Sequence, residues 1–135
     1  MEENKETIML CTRYEAMRLN EFLSGIRGMG KIDADDRVNI VMLKISLSDI
    51  VESFENFKKV STESLLTKDI SELSDIEKEE ADSKFKEMIL PYVNEQIELQ
   101  YTPISKDSFK LLIHDLNIDE VGLYEYFYKK LVKIN

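Results

Sequence analysis

The sequence has few of the residues on which disulfide-rich, metal-binding or turn-rich proteins depend. Its 135 residues include one cysteine, one histidine, four glycines and two prolines. Cys11 cannot form an internal disulfide, and His114 cannot supply a histidine cluster for zinc. The scarcity of glycine and proline favours long regular elements over a turn-rich β architecture. We therefore expect a mainly helical fold that needs no covalent or metal cross-link.

Long apolar runs and excess positive charge are also missing. No run approaches the roughly 20 apolar residues that span a bilayer, and the N-terminus lacks the basic and apolar regions of a signal peptide. Together with the lone cysteine, this predicts a cytoplasmic protein. The net charge of −9 opposes direct binding to nucleic acid or to an anionic membrane. We expect one helical domain, residues 1–135, with residues 1–5 disordered.

The longest uninterrupted helical pattern runs from Asp33 to Val60 and contains neither glycine nor proline. Asp33 is placed to cap its N-terminus. Apolar residues recur along one face at alternating spacings of three and four, a pattern typical of a helix that packs on another helix. This set, called the core seam below, comprises Ile40, Leu43, Leu47, Ile50, Phe54 and Phe57.

The remaining elements follow from caps and periodicity. Short segments at Thr7–Cys11 and Ile97–Thr102 are typical of strands, and we expect them to pair antiparallel because a lone strand leaves its backbone groups unpaired. Further helices are predicted from Thr12 to about Arg27, from Ser74 with a kink or break at Pro91, over Lys106–His114, and from an Asn117 cap to the C-terminus. The predicted fold is mainly α: a long antiparallel helical hairpin with additional short helices and a small two-stranded antiparallel β element.

No catalytic, cofactor-binding or metal-binding motif stands out. The glycines of Gly25–Gly30 follow a helix and have the wrong spacing for a phosphate loop. The acids Asp33, Asp35 and Asp36 are better explained as helix capping than as part of a calcium loop, whose other ligands are missing. We predict that the protein is not an enzyme and takes no cofactor or metal, although catalytic groups can assemble from distant positions without a local motif.

The aromatic run near the C-terminus is the candidate interaction surface. Tyr124, Tyr126 and Tyr128 alternate with Glu125 and Phe127. On a helix, Tyr126 points away from the core-facing side, and tyrosine is favoured at protein interfaces. Two interpretations stay open: the edge of the core, or a surface for a protein partner or for self-association as a homodimer.

Acidic residues are concentrated in Ser71–Glu98, where nine acids accompany only Lys78, Lys84 and Lys86. The simpler interpretation is a solvated helix face that keeps the protein soluble. The alternative function is an acidic decoy that mimics nucleic acid and binds a DNA- or RNA-binding protein. That hypothesis requires the acids to align on one face of the helix.

The order of these elements resembles a group of small helical proteins of unknown function encoded by phages and prophages. The residues that carry the resemblance are Tyr14–Leu23, the Asp33–Val60 helix and the alternating segment Ile97–Ile104. The sequence departs from that pattern at the polar stretch Ser61–Leu73 and at Pro91. The resemblance implies a phage or mobile-element origin and carries over no functional residue. From the sequence, the leading hypothesis is a protein-interaction or assembly factor.

Overall fold

The computed structural model describes residues 7–26, 29–66, 69–114 and 121–132. The predicted disorder at residues 1–5 and the predicted cap at Asn117 lie outside these ranges. Within them the chain is mainly helical with one small sheet, which confirms the predicted fold class. The elements are β1 (Thr7–Thr12), α1 (Arg13–Ser24), α2 (Ala34–Leu65), α3 (Asp75–Asn94), β2 (Gln96–Tyr101), α4 (Lys106–Ile113) and α5 (Val121–Leu131), with 3-10 turns at Met29–Lys31 and Ile70–Glu72.

The two predicted strands pair antiparallel, as expected. Met9 lies opposite Leu99, and both are buried on the inner face of the sheet. Ile8 and Leu10 point to the outer face and remain about half exposed. Since β2 follows α3 directly, the pairing brings β1 back to the end of the helical hairpin.

Local hydrogen bonds explain where the first two helices begin. The Thr12 hydroxyl accepts a bond from the Glu15 backbone N–H at 3.0 Å, and the Glu15 carboxylate accepts one from the Thr12 N–H at 2.9 Å. This reciprocal capping box begins α1. The Asp33 carboxylate accepts bonds from the N–H groups of Asp35 and Asp36 and begins α2, as predicted.

The core seam of α2 is buried in only one half of the helix. Ile40, Leu43 and Leu47 are buried in the main core. Phe54 and Phe57, farther along, are only partly buried. The reason is that α2 runs on to Leu65, beyond the predicted end at Val60, and its second half packs mainly against α3.

Helix α3 continues through Pro91 to Asn94, so the chain does not break there, and the alternative of a kink stays a prediction. Proline cannot donate a backbone hydrogen bond, but Pro91 lies in the last turn, where only one such bond is lost and the helix is about to end.

The neighbouring Tyr92 ring stacks on Phe57 with a centroid distance of 4.0 Å. On the other side, the Arg13 guanidinium lies 4.1 Å from the Tyr92 ring centroid. These contacts attach α3 to both α2 and α1.

A buried carboxylate joins α4 to α2. Asp36 Oδ2 accepts hydrogen bonds from the Ser105 hydroxyl at 2.9 Å and from the Ser108 hydroxyl at 2.6 Å. It also accepts a bond from the Ser105 backbone N–H at 3.2 Å, at the start of α4. The negative charge therefore sits where the α4 dipole and its free N–H groups favour it.

The main core lies where α1, the first half of α2, the sheet, α4 and α5 meet. Its buried apolar residues are Met9, Cys11, Ala16, Leu19, Phe22, Leu23, Ile32, Ile40, Leu43, Leu47, Leu99, Ile104, Phe109, Leu112, Phe127, Leu131 and Val132. None of the described residues of α3 is fully buried. In the part of the chain that the structure describes, no helix has both the length and the apolar character to cross a membrane.

Candidate functional site

The predicted tyrosine surface is only partly where the sequence suggested. The Tyr124 side chain lies outside the described residues, and Tyr126 and Tyr128 are half-buried against the core. Tyr126 was expected to point away from the core, but its hydroxyl donates to Glu15 Oε2 at 2.7 Å. The expectation is wrong because a carboxylate on α1 provides a partner for the hydroxyl at the core edge. The role of these tyrosines in binding a partner stays a prediction.

Four side chains form a polar cluster between β1, α1 and α5: Cys11, Glu15, Tyr126 and Lys130. The Lys130 ammonium donates to the Leu10 carbonyl at 3.0 Å and lies 5.7 Å from the centroid of the Tyr126 ring. It thereby covers backbone of β1, which is a common way to protect a strand edge. The cluster holds the C-terminal helix against the sheet.

The pKa values in this cluster argue against a reactive cysteine. Burial raises the pKa of the Cys11 thiol, and the nearby Glu15 carboxylate raises it further. Because the thiolate is the nucleophilic form, a raised pKa makes Cys11 unreactive at neutral pH. Burial and the bond to Glu15 also raise the pKa of the Tyr126 hydroxyl. Both groups are therefore neutral and serve packing and hydrogen bonding.

The Glu15 carboxylate gives the fold a predictable acid sensitivity. The bond from the Thr12 backbone N–H, aided by those from the Tyr126 and Thr12 hydroxyls and by the Lys130 charge, lowers the pKa of Glu15 below its ordinary value of 4.5. Its contribution to stability is complete above pH 4.5 and is lost as the pH falls through the lower, folded-state pKa. We expect Glu15→Gln to be less stable than wild type at neutral pH, with the difference shrinking in acid.

Urea unfolding of both proteins between about pH 6 and about pH 3 measures this difference. Glu21→Gln is the matched control, since Glu21 is on the same helix and makes only an exposed ion pair with Arg18 at 3.6 Å. A constant stability difference between Glu15→Gln and wild type across this range would show that Glu15 does not cause the acid sensitivity.

Groups that could hold a metal or line a ligand site are few. Over the described ranges, no three His, Cys, Asp or Glu side chains are close enough together to bind a metal ion.

An open apolar cleft of about 240 Å³ lies between the end of α2 and the start of α3. Leu65, Leu66, Leu73, Ala81 and Phe85 form its apolar walls. The cleft is of a size to accept an apolar side chain.

The most distinctive surface is an apolar stripe on the outside of α2, called the outer stripe below. Its members are Val38, Val41, Met42 and Ile45, with exposed fractions of 59%, 46%, 59% and 54%. Their spacing of i, i+3, i+4 and i+7 places all four on one helix face. At about 100° per residue, that face is opposite the buried core seam. Contiguous exposed aliphatic side chains of this kind mark interaction sites.

Charged residues of opposite sign flank the outer stripe. Arg37 and Lys44 lie along one side of it, and Asp35 and Asp49 lie along the other. Within the described residues, none of these four side chains forms an ion pair with its own chain. The outer stripe is therefore an apolar strip with one basic edge and one acidic edge, and no described residue covers it.

Sequence reasoning missed the outer stripe although its signal was present. The spacing of Val38, Val41, Met42 and Ile45 is itself a helical apolar pattern. It was overlooked because the core seam on the same helix already accounted for one apolar face. A helix with two opposed apolar faces needs two partners, and the part of the chain that the structure describes provides only one of them.

The acids of α3 do not gather on one face. At about 100° per residue, Asp75, Glu77, Glu79, Glu80, Asp82 and Glu87 spread over more than half of the helix circumference. Asp82 is paired with Lys86 at 3.1 Å. Nothing in this arrangement favours the decoy hypothesis, which stays a prediction.

Comparison of the chain with protein-family models, with curated proteins and with solved structures found no match.

Proposed function

We propose that the protein is a non-enzymatic interaction protein, an accessory or assembly factor, whose contact surface is the outer stripe of α2. The observation that supports this is the group of four half-exposed aliphatic side chains on the face of α2 opposite the core. The proposed partner is a protein or a second copy of this chain. The proposed partner is neither nucleic acid nor a membrane. The cytoplasm is the proposed compartment.

The outer stripe supplies a modest amount of binding free energy. Full burial of one such side chain contributes about 1.5–3 kcal/mol. Since roughly half of each side chain is exposed, covering all four contributes on the order of 4 kcal/mol before the cost of association. A partner that also presents an apolar face doubles this contribution. Because association itself costs on the order of 4–15 kcal/mol, the expected complex is weak and transient.

The outer stripe is a better candidate than the C-terminal tyrosines. The ring of Tyr126 already contacts Phe127, and the ring of Tyr128 already contacts Phe109. The Tyr126 hydroxyl is also bonded to Glu15. These tyrosines can extend an interface, whereas the side chains of the outer stripe have about half of their area still to bury. The phage or mobile-element origin implied by the resemblance stays a prediction.

Site-specific photo-crosslinking tests the proposal. A benzophenone amino acid at Met42 is expected to give covalent protein adducts when cells of the source organism that carry the variant are irradiated. The matched control is the same amino acid at Val60, which is on the same helix, outside the stripe, and 63% exposed. Adducts at Met42 but not at Val60 support the proposal. Equal adducts at both positions, or none at either, would refute it.

A further inference from the structure

We infer that the partner that covers the outer stripe is a second copy of this chain, with the two α2 helices side by side and parallel about a two-fold axis. This inference rests on the proposed function, because it takes the outer stripe as the contact surface. It adds the identity of the partner, the orientation of the helices and the residues that determine that orientation.

The spacing of the stripe matches a two-stranded helix pair. Val38, Val41 and Ile45 follow one another at steps of three and four, and Ala34 and Ser48 continue the same line at either end. In heptad terms Val38 and Ile45 occupy a positions and Val41 occupies a d position, so the outer stripe supplies a short a/d line of the kind that joins two helices. Because the line repeats on an identical helix, each stripe is complementary to the stripe of its copy.

The flanking charges select the parallel orientation. In a parallel pair, each Lys44 at a g position faces Asp49 of the other copy at the following e position, which gives two opposite-charge contacts. In an antiparallel pair with Val41 against Ile45 of the other copy, the two Lys44 side chains would face each other. Asp35 would likewise face Asp49 of the other copy. Like charges would then meet on both sides of the stripe, so the antiparallel arrangement is disfavoured.

The contact is short. Glu52 is the next residue on the line after Ser48, and in a parallel pair it would face Glu52 of the other copy. The helices therefore diverge beyond Ser48, and the contact extends over roughly 20 Å from Ala34. Each copy also carries a net charge of −9, so the two bodies repel each other. A short contact under mutual repulsion gives a dimer that forms and dissociates with concentration.

Analytical ultracentrifugation over a concentration series is the first test. Wild type is expected to show a reversible monomer–dimer equilibrium. Val38→Glu is expected to raise the dissociation constant at least about tenfold, because it places two carboxylates in the apolar contact. Val60→Glu, at an equally exposed valine of the same helix, is expected to leave the constant unchanged. Glutamate has a higher helix propensity than valine, so both variants should fold, which circular dichroism verifies.

A charge exchange tests the orientation. Lys44→Glu and Asp49→Lys are each expected to weaken the dimer, since each places like charges together across the contact. The double variant Lys44→Glu with Asp49→Lys is expected to restore the wild-type constant. Failure of the double variant to recover would overturn the parallel arrangement.

Disulfide trapping provides an independent measure of orientation. Ile45→Cys is expected to form a disulfide-linked dimer on mild oxidation, because equivalent a positions face each other in a parallel pair. Wild type and Val60→Cys are the controls, since Cys11 is buried and Val60 lies outside the stripe. Trapping only when Val41→Cys and Ile45→Cys chains are mixed would indicate antiparallel pairing and overturn the inference.

The outcomes separate this inference from the proposed function. A chain that stays monomeric at every concentration, yet yields adducts with other proteins from Met42, would overturn the dimer and leave the interaction function supported. A chain that stays monomeric and also yields no adducts from Met42 would overturn both proposals. A wild-type dimer that Val38→Glu does not weaken would show that copies associate elsewhere, and would overturn the inference.

Discussion

Leu47→Ala is expected to lower the free energy of unfolding by about 3–5 kcal/mol, the upper part of the range for large-to-small substitutions in cores. Leu47 has no measurable exposure and lies near the middle of α2, among the residues of the main core. Truncation of its side chain to alanine removes buried apolar area and leaves a cavity. Because the core holds elements from both ends of the chain, they cannot easily collapse into that space.

Urea denaturation followed by circular dichroism measures the effect, and an unchanged denaturant dependence verifies that the same surface is exposed on unfolding. Val41→Ala is the matched control on the same helix, since Val41 is 46% exposed on the outer stripe. Its expected effect is within about 0.5 kcal/mol, because partial exposure limits the loss and alanine favours helix. Similar losses for the two variants would show that the core is not centred on this face of α2.

Asp36→Ala is expected to destabilise the fold by about 2–4 kcal/mol. The substitution removes the acceptor for the Ser105 and Ser108 hydroxyls and for the Ser105 backbone N–H. Donors that lose their partner in a buried position carry the full cost of their desolvation, and bonds to a charged group are stronger than neutral ones. The loss should be greatest at the start of α4.

Hydrogen exchange locates the effect: amides of α4 are expected to lose protection more than those of α1. Asp36→Asn is expected to fall between wild type and Asp36→Ala, since an amide keeps one acceptor oxygen but no charge. The matched control is Asp35→Ala, at the exposed neighbouring position. It is expected to lower the free energy of unfolding by less than about 1 kcal/mol, through loss of the interaction between Asp35 and the helix dipole. Equal losses for Asp35→Ala and Asp36→Ala would contradict a special role for the buried carboxylate.

Features that depend on neighbouring residues could be predicted from the sequence. Thr12, Asp33 and Ser74 cap their helices as expected, because a cap bonds to backbone groups only two or three residues away. The pairing of the two strands was also predictable, because alternation identifies a strand and an unpaired strand is unfavourable. Length and composition set the remaining limits on the fold class.

The outer stripe, which is the candidate site, was harder to predict from the sequence. Val38, Val41, Met42 and Ile45 form a pattern that is visible in the sequence, but periodicity cannot tell which of two apolar faces becomes the core. The face that includes Leu47 is buried because α1 packs against it, together with the sheet and the C-terminal helices. The outer stripe is exposed only because no element of the described chain reaches it.

The sequence by itself determined the helices, their caps, the antiparallel strands and the acidic, cross-link-free character of the chain, since these depend on local bonding and composition. Tertiary structure alone decided the partners of Asp36, which are 69 and 72 residues away, and the contact of Tyr126 with Glu15. It also decided which face of α2 remains exposed. These outcomes depend on which distant surfaces meet, and the free energy of that choice is shared among contacts far apart in the chain.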